Sequence, residues 1–117
     1  DGSGLSSLDR LTAAALAGII RAGIWDERIG PSFLASLAVA GRTGTLDRRM
    51  PGLAGVVRGK TGTTSLACTL SGLIRGDVVF AVLQNGSPVS FWPARTAQDR
   101  FVTTLARATA QRTAASP

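Results

Sequence analysis

Residues 58–65, with the sequence RGKTGTTS, hold the side chains best suited to chemistry in this sequence. They combine the only lysine of the chain, Lys60, with four hydroxyl side chains and two glycines. A lysine ammonium can attract a carboxylate and assist proton transfer. Because the chain has no histidine and a single cysteine, it cannot by itself build a Ser-His-Asp site, a Cys-His site or a Cys-x-x-Cys redox pair.

One use of this stretch is acyl transfer along an exposed strand. Lys60 would supply the cation, and Thr61 and Thr63 would offer hydroxyls to a substrate carboxylate. Gly62 has no side chain, so substrate can come close to the backbone, and the N–H that follows can serve an oxyanion hole. An extended peptide could also pair with such a strand. Lys-Thr-Gly is an ordinary turn sequence too, and these residues alone fit a solvated strand and turn equally well.

A second use is phosphate binding. Residues 54–61 match a relaxed P-loop pattern with alanine in place of the first glycine. That mechanism needs a strand before the loop and a helix directly after the lysine. Residues 51–53 do not resemble a buried strand, and Val56 and Val57 would put stiff β-branched side chains in the cradle. Phosphate binding is therefore the weaker interpretation.

The N-terminal third of the chain predicts an amphipathic helix over residues 7–22. Ser6 and Asp9 resemble a capping box at its start, and Gly23 is suited to end it. The predicted buried stripe consists of Leu8, Leu11, Ala15 and Ile19.

A short helix over 31–39 and a loop over 40–53 are expected next, from Pro31 and a cluster of turn residues. Apolar and β-branched runs then predict three antiparallel strands, at 54–61, 66–74 and 78–85. The tripeptide Arg75-Gly76-Asp77 predicts a tight hairpin turn between the last two. Both faces of these strands carry apolar residues, so we expect the sheet to be covered on both sides.

A final helix is predicted over residues 93–112, with Pro93 in its first turn. Its predicted apolar stripe consists of Ala94, Ala97, Phe101, Leu105 and Ala108. One helix covers one face of a sheet, so the other face is expected to be bare within this chain and to need a partner. Cys68, on the middle strand, is expected to be buried. The predicted class is α+β.

The composition narrows the functions further. A length of 117 residues allows one domain at most. The net charge of +6 comes from arginines that are scattered and do not alternate with aromatics, so nucleic-acid binding is disfavoured. No apolar run reaches the length of a transmembrane segment. No cofactor and no metal site is expected, and a start at Asp1 rather than methionine indicates a processed chain or a fragment.

Four short blocks of the sequence together resemble a known enzyme family. They are residues 1–6 (DGSGLS), 33–37 (FLASL), 40–46 (AGRTGTL) and 58–63 (RGKTGT). In order and spacing they resemble the D-alanyl-D-alanine carboxypeptidase/endopeptidase family, the class C low-molecular-mass penicillin-binding proteins of peptidase family S13. The resemblance covers nearly the whole chain. It implies that residues 1–117 are the C-terminal portion of one transpeptidase-like domain, contributing three strands of a five-stranded antiparallel sheet and flanking helices.

The resemblance implies a serine enzyme that cleaves D-Ala-D-Ala bonds of peptidoglycan stem peptides through an acyl-enzyme and is acylated by β-lactam antibiotics. The family uses three motifs, Ser-x-x-Lys, Ser-x-Asn and Lys-Thr-Gly, of which this sequence has only the third. The nucleophile and base are therefore expected on an N-terminal portion, in the same chain or a separate one. The protein would be exported to the cell envelope. The alternative is a catalytically silent relative that binds peptidoglycan or serves as a scaffold.

By this resemblance Lys60 is the electrostatic and proton-relay lysine. Thr61, Gly62 and Thr63 bind substrate, and the Thr63 N–H is one oxyanion donor. The residues implied to shape the cleft are Asp1, Gly2, Ser3, Gly4, Ser7 and Thr64. Relatives often carry arginine at the position of Ser7 and a larger apolar residue at that of Thr64, so the pocket for the stem-peptide side chain is expected to differ here.

Overall fold

The computed structural model describes residues 2–115. The elements in chain order are α1 (Ala13–Trp25), α2 (Gly30–Ser36), β1 (Ala38–Val39), β2 (Val57–Thr63), β3 (Ala67–Ile74), β4 (Val78–Asn85) and α3 (Phe91–Ala115). Two single 3-10 turns, Gly44–Leu46 and Pro51–Leu53, lie between β1 and β2. The predicted α+β class is confirmed.

The described strands form one antiparallel sheet in the order β1-β2-β3-β4. All three predicted strands are present, although the first begins at Val57 rather than at residue 54 and continues to Thr63. The fourth, β1, was predicted as the end of a helix over 31–39, and that prediction is wrong: α2 stops at Ser36 and the chain then pairs with β2. The hairpin between β3 and β4 is confirmed, with Arg75 and Gly76 both at positive φ (52° and 81°), as a tight turn requires.

Helix α3 covers one face of the sheet, but its buried stripe lies one position after the predicted Ala97, Phe101 and Leu105. The buried residues are Ala94, Gln98, Val102 and Ala106. The predicted Ala97, Phe101 and Ala108 are exposed instead. A prediction of buried residues from apolar side chains alone misses Gln98. This side chain is fully buried because its amide has polar partners.

Helix α1 contacts β4 and β3, so the expectation of a bare second face is wrong. Its least exposed residues are Ile20, which is buried, and the half-buried Leu16, Ala17, Gly23 and Ile24; of these, Gly23 lies against Phe33 of α2. The predicted stripe of Leu8, Leu11, Ala15 and Ile19 is exposed, since Leu8 and Leu11 precede the helix and Ala15 and Ile19 lie on its exposed side.

The ends of α1 also differ from the prediction. Thr12 is the N-cap, and its Oγ1 accepts the Ala15 N–H at 3.0 Å, whereas Ser6 Oγ accepts the Leu8 N–H in a separate turn. The helix passes Gly23 and ends at Trp25. Asp26 follows, and the backbone N–H of Arg28, 2.8 Å from its carboxylate, holds the pKa of Asp26 below its ordinary value.

A buried polar cluster ties α3 to the sheet and to the loop before β2. The Gln98 amide donates to Gln84 Oε1 at 2.9 Å and to Cys68 Sγ at 3.3 Å, and Arg49 donates to Gln98 Oε1 at 3.0 Å. Arg49 also pairs with Asp99 at 2.6 Å. Cys68 is buried, as predicted. Each buried polar group thus has a partner, which offsets its desolvation.

No helix in the described part of the chain is long and apolar enough to cross a membrane.

Candidate active site

Strand β2 is paired on both sides only in its first half. Strand β1 meets it at Arg58 and Gly59, and the Ala40 N–H donates to the Val57 carbonyl at 2.9 Å. The chain before β1 turns away, because the Leu37 N–H bonds back to Leu34 in α2. Residues 60–63 are therefore paired with β3 alone among the described residues. We call the unpaired side of residues 60–63 the open edge.

The alternating direction of the backbone N–H and C=O groups along β2 decides which of them face the open edge. The Thr64 N–H donates to the Ala67 carbonyl at 2.9 Å. In an antiparallel ladder every second residue turns its N–H and C=O to the same neighbour, so Gly62 and Lys60 face β3. Thr61 and Thr63 then present their N–H and C=O groups to the open edge, where an extended peptide can pair with them.

Lys60 is exposed, and its ammonium lies at the open edge. Its Nζ donates to the Thr61 carbonyl at 2.5 Å. None of the ion pairs in the described part of the chain involves Lys60. The positive charge is therefore available to an anion that approaches this edge.

The hydroxyls of the motif lie on the opposite face of β2 from Lys60, since side chains alternate along a strand. Thr61 is half-buried and Thr63 is exposed. Thr61 Oγ1 is 2.8 Å from Thr45 Oγ1, which belongs to the 3-10 turn Gly44–Leu46. Sequence reasoning did not assign Thr45 a role; the only available signal was its place within the block AGRTGTL.

Gly62 has a structural reason to be glycine. A Cβ at this position would lie 2.6 Å from Thr69 Oγ1 on β3, and that hydroxyl donates to the Gly62 carbonyl at 3.4 Å. The close neighbour on β3 therefore disfavours a side chain at position 62. This packing reason stands beside the predicted close approach of substrate.

The predicted cleft-shaping residues are not gathered at β2. Thr64 closes the β2–β3 turn, and its hydroxyl accepts the N–H groups of Leu66 and Ala67 at 3.2 and 3.1 Å. Gly2, Gly4 and Ser7 are exposed in the segment before α1, where the Ser7 carbonyl accepts from Arg10 at 2.7 Å. Ser3 Oγ accepts the Leu5 N–H at 3.1 Å within this segment. Asp1 lies outside the described residues, and the cleft-shaping role remains a prediction.

The phosphate-binding alternative does not fit this geometry. Lys60 lies inside a strand, and β2 continues through a turn into β3 with no helix after the lysine. A P-loop needs a helix N-terminus at that point. Within residues 2–115 no three acidic, cysteine or histidine side chains form a group that could hold a metal ion.

Comparison with known proteins gives a consistent result. Residues 1–108 match the D-Ala-D-Ala carboxypeptidase 3 (S13) family. The chain is also 39% identical over 99 residues to a D-alanyl-D-alanine carboxypeptidase from Actinomadura sp. (strain R39). That alignment covers 74% of this chain and 18% of the relative, so the chain spans less than a fifth of the relative's length.

Proposed function

The chain belongs to the D-Ala-D-Ala carboxypeptidase 3 (S13) family, and on that premise we propose that it forms one wall of the active site of a serine DD-peptidase. The reaction is cleavage of D-Ala-D-Ala or cross-link bonds in peptidoglycan stem peptides through an acyl-enzyme formed on a serine. β-Lactams block this reaction by acylating the same serine. An N-terminal portion of the protein supplies the nucleophile and its base. The substrate lies outside the cytoplasmic membrane, so the protein acts there.

The open edge is the observation that carries this proposal. It offers the outward N–H and C=O groups of Thr61 and Thr63 to a peptide in extended conformation. The Thr63 N–H is one donor to the oxyanion, and the missing serine contributes the other. A fifth strand from the N-terminal portion would pair with β4, because the substrate needs the edge of β2.

The charge and hydroxyls of the edge suit the carboxylate that ends a D-Ala-D-Ala peptide. Thr61 and Thr63 lie two residues apart on one face of β2, so both hydroxyls can reach one carboxylate. Lys60 adds an ammonium that attracts the same group and assists proton transfer. Because Lys60 Nζ donates to the Thr61 carbonyl at 2.5 Å, a peptide that pairs with this carbonyl displaces the ammonium from it.

Labelling of the full-length protein with a fluorescent penicillin tests the proposal. We expect a covalent adduct in the wild-type protein. In Thr63→Val, which keeps the backbone N–H and removes only the hydroxyl, acylation should fall by about tenfold with little change in thermal stability. Thr63→Ser is the matched control and should retain most of the rate.

Absence of any adduct under conditions that label a known penicillin-binding enzyme would refute the proposal. If the unlabelled protein nevertheless bound purified peptidoglycan, the catalytically silent relative would be favoured. A loss of labelling in Thr63→Val that only paralleled unfolding would contradict the carboxylate role of Thr63.

A further inference from the structure

We propose that Thr45 is a positioning residue, which donates its hydroxyl proton to Thr61 Oγ1 when the Thr61 proton points at the substrate carboxylate. This inference rests on the proposed function, and it adds a residue from outside the Lys-Thr-Gly motif to the same site.

The distance between the two hydroxyls carries the argument. Thr45 Oγ1 and Thr61 Oγ1 are 2.8 Å apart, a normal length for an O–H···O hydrogen bond. A hydroxyl has one proton to donate and can also accept. If Thr61 gives its proton to a carboxylate, it can keep this contact only by accepting the proton of Thr45. The carboxylate thereby selects one direction for the pair, and the bond from Thr45 strengthens the donor facing the ligand.

The 3-10 turn holds Thr45 against β2. Its neighbour Leu46 is fully buried and packs over Gly59, where an added Cβ would lie 3.3 Å from Leu46 Cδ1. Gly59 and Thr61 are on the same face of β2. The consecutive turn residues Thr45 and Leu46 can therefore contact Thr61 and Gly59, respectively. The Gly41 N–H, which donates to the Leu46 carbonyl at 2.9 Å, fixes the turn from the other side.

The same loop offers a matched control. Thr43 Oγ1 accepts the Val39 N–H at 2.8 Å, so this hydroxyl supports the loop and its described contact does not involve Thr61. Replacing Thr43 therefore reports the effect of loosening the loop, whereas replacing Thr45 also removes the bond to Thr61.

The experiment measures acylation rates of the full-length protein by a penicillin and by the methyl ester of the same penicillin. Thr45→Val should lower the rate with the free acid by about tenfold and leave the rate with the ester within about twofold of wild type. Thr45→Ser should restore the acid rate. Thr43→Val should lower thermal stability without changing the ratio of the two rates. In a Thr61→Val background, Thr45→Val should have no further effect.

The outcomes separate the two proposals. If the wild-type protein is not acylated, the DD-peptidase function falls and the role of Thr45 falls with it. If the wild-type protein is acylated, and Thr45→Val either changes nothing or lowers the acid and ester rates equally, only the role of Thr45 is overturned.

Discussion

The two halves of β2 are one strand with two different surroundings. Residues 57–59 have β1 on one side and β3 on the other, and Val57 and Gly59 are buried. Residues 60–63 have only β3, and Lys60 and Thr63 are exposed. The first half holds the sheet together, and the second half leaves its backbone groups and side chains available to a ligand. Substitutions in the two halves should therefore separate stability from activity.

The largest effect is expected for Gly72→Ala on β3, directly opposite Gly59. An added Cβ would lie 2.0 Å from the Arg58 carbonyl oxygen and 2.7 Å from Gly59 Cα. Because both neighbours are backbone atoms, the strands must separate, and the free energy of unfolding should fall by about 3 kcal/mol. Urea unfolding of the full-length protein measures this loss.

Gly18→Ala is the matched control for that substitution. Nothing lies within 4 Å of a Cβ at this helical position, so alanine should stabilise α1 by about 0.5–1 kcal/mol. Equal effects of the two substitutions would show that the paired half of β2 is not the tightly packed part of the sheet.

Lys60→Ala is expected to lower activity and leave stability nearly unchanged, which is the reverse of the emphasis in Gly72→Ala. Acylation by penicillin should fall by about 100-fold or more, equivalent to about 2.7 kcal/mol in the barrier, because the ammonium at the open edge is lost. The free energy of unfolding should change by less than about 0.5 kcal/mol, since the side chain is exposed. Arg100→Ala, which removes an exposed positive charge from α3, should leave both quantities unchanged. Unaltered acylation in Lys60→Ala would reject the role of Lys60.

Gln98→Leu tests the buried polar cluster that supports β3 beside residues 60–63, and its effect should be smaller than that of Lys60→Ala. Gln98 donates to Cys68 Sγ, and Cys68 is the β3 residue opposite Thr63. The substitution removes the amide that donates to Gln84 Oε1, so the free energy of unfolding should fall by about 1–2 kcal/mol. Acylation should fall less than in Lys60→Ala. Gln111→Leu, exposed on the same helix, should be nearly neutral; a similar loss there would show that the buried cluster does not matter.

The strands could be predicted from the sequence because their signals are local. Apolar runs and the turn at Arg75-Gly76-Asp77 placed all three long strands, and the lone lysine pointed to the motif on β2. The helical stripes were less accurate for two physical reasons. Leu8 and Leu11 precede the Thr12 cap, where helical spacing has no meaning, and Gln98 is a core residue only because Gln84, Cys68 and Arg49 are its partners.

The contact between Thr45 and Thr61 was beyond sequence reasoning. The two residues are 16 positions apart, and they meet only because a 3-10 turn packs Leu46 over Gly59. The strand β1 was missed for a similar reason, since a segment of two residues carries no periodicity of its own. Its pairing with β2 depends on contacts across the chain.

The open edge also affects self-association. A strand that leaves N–H and C=O groups unpaired can pair with the same strand of another molecule, and a lysine on the edge is a common means of preventing this. Here the ammonium of Lys60 lies on the Thr61 carbonyl, one of the groups that a second copy would need. The charge that is proposed to attract substrate would thus also keep neighbouring molecules from aggregating through this edge.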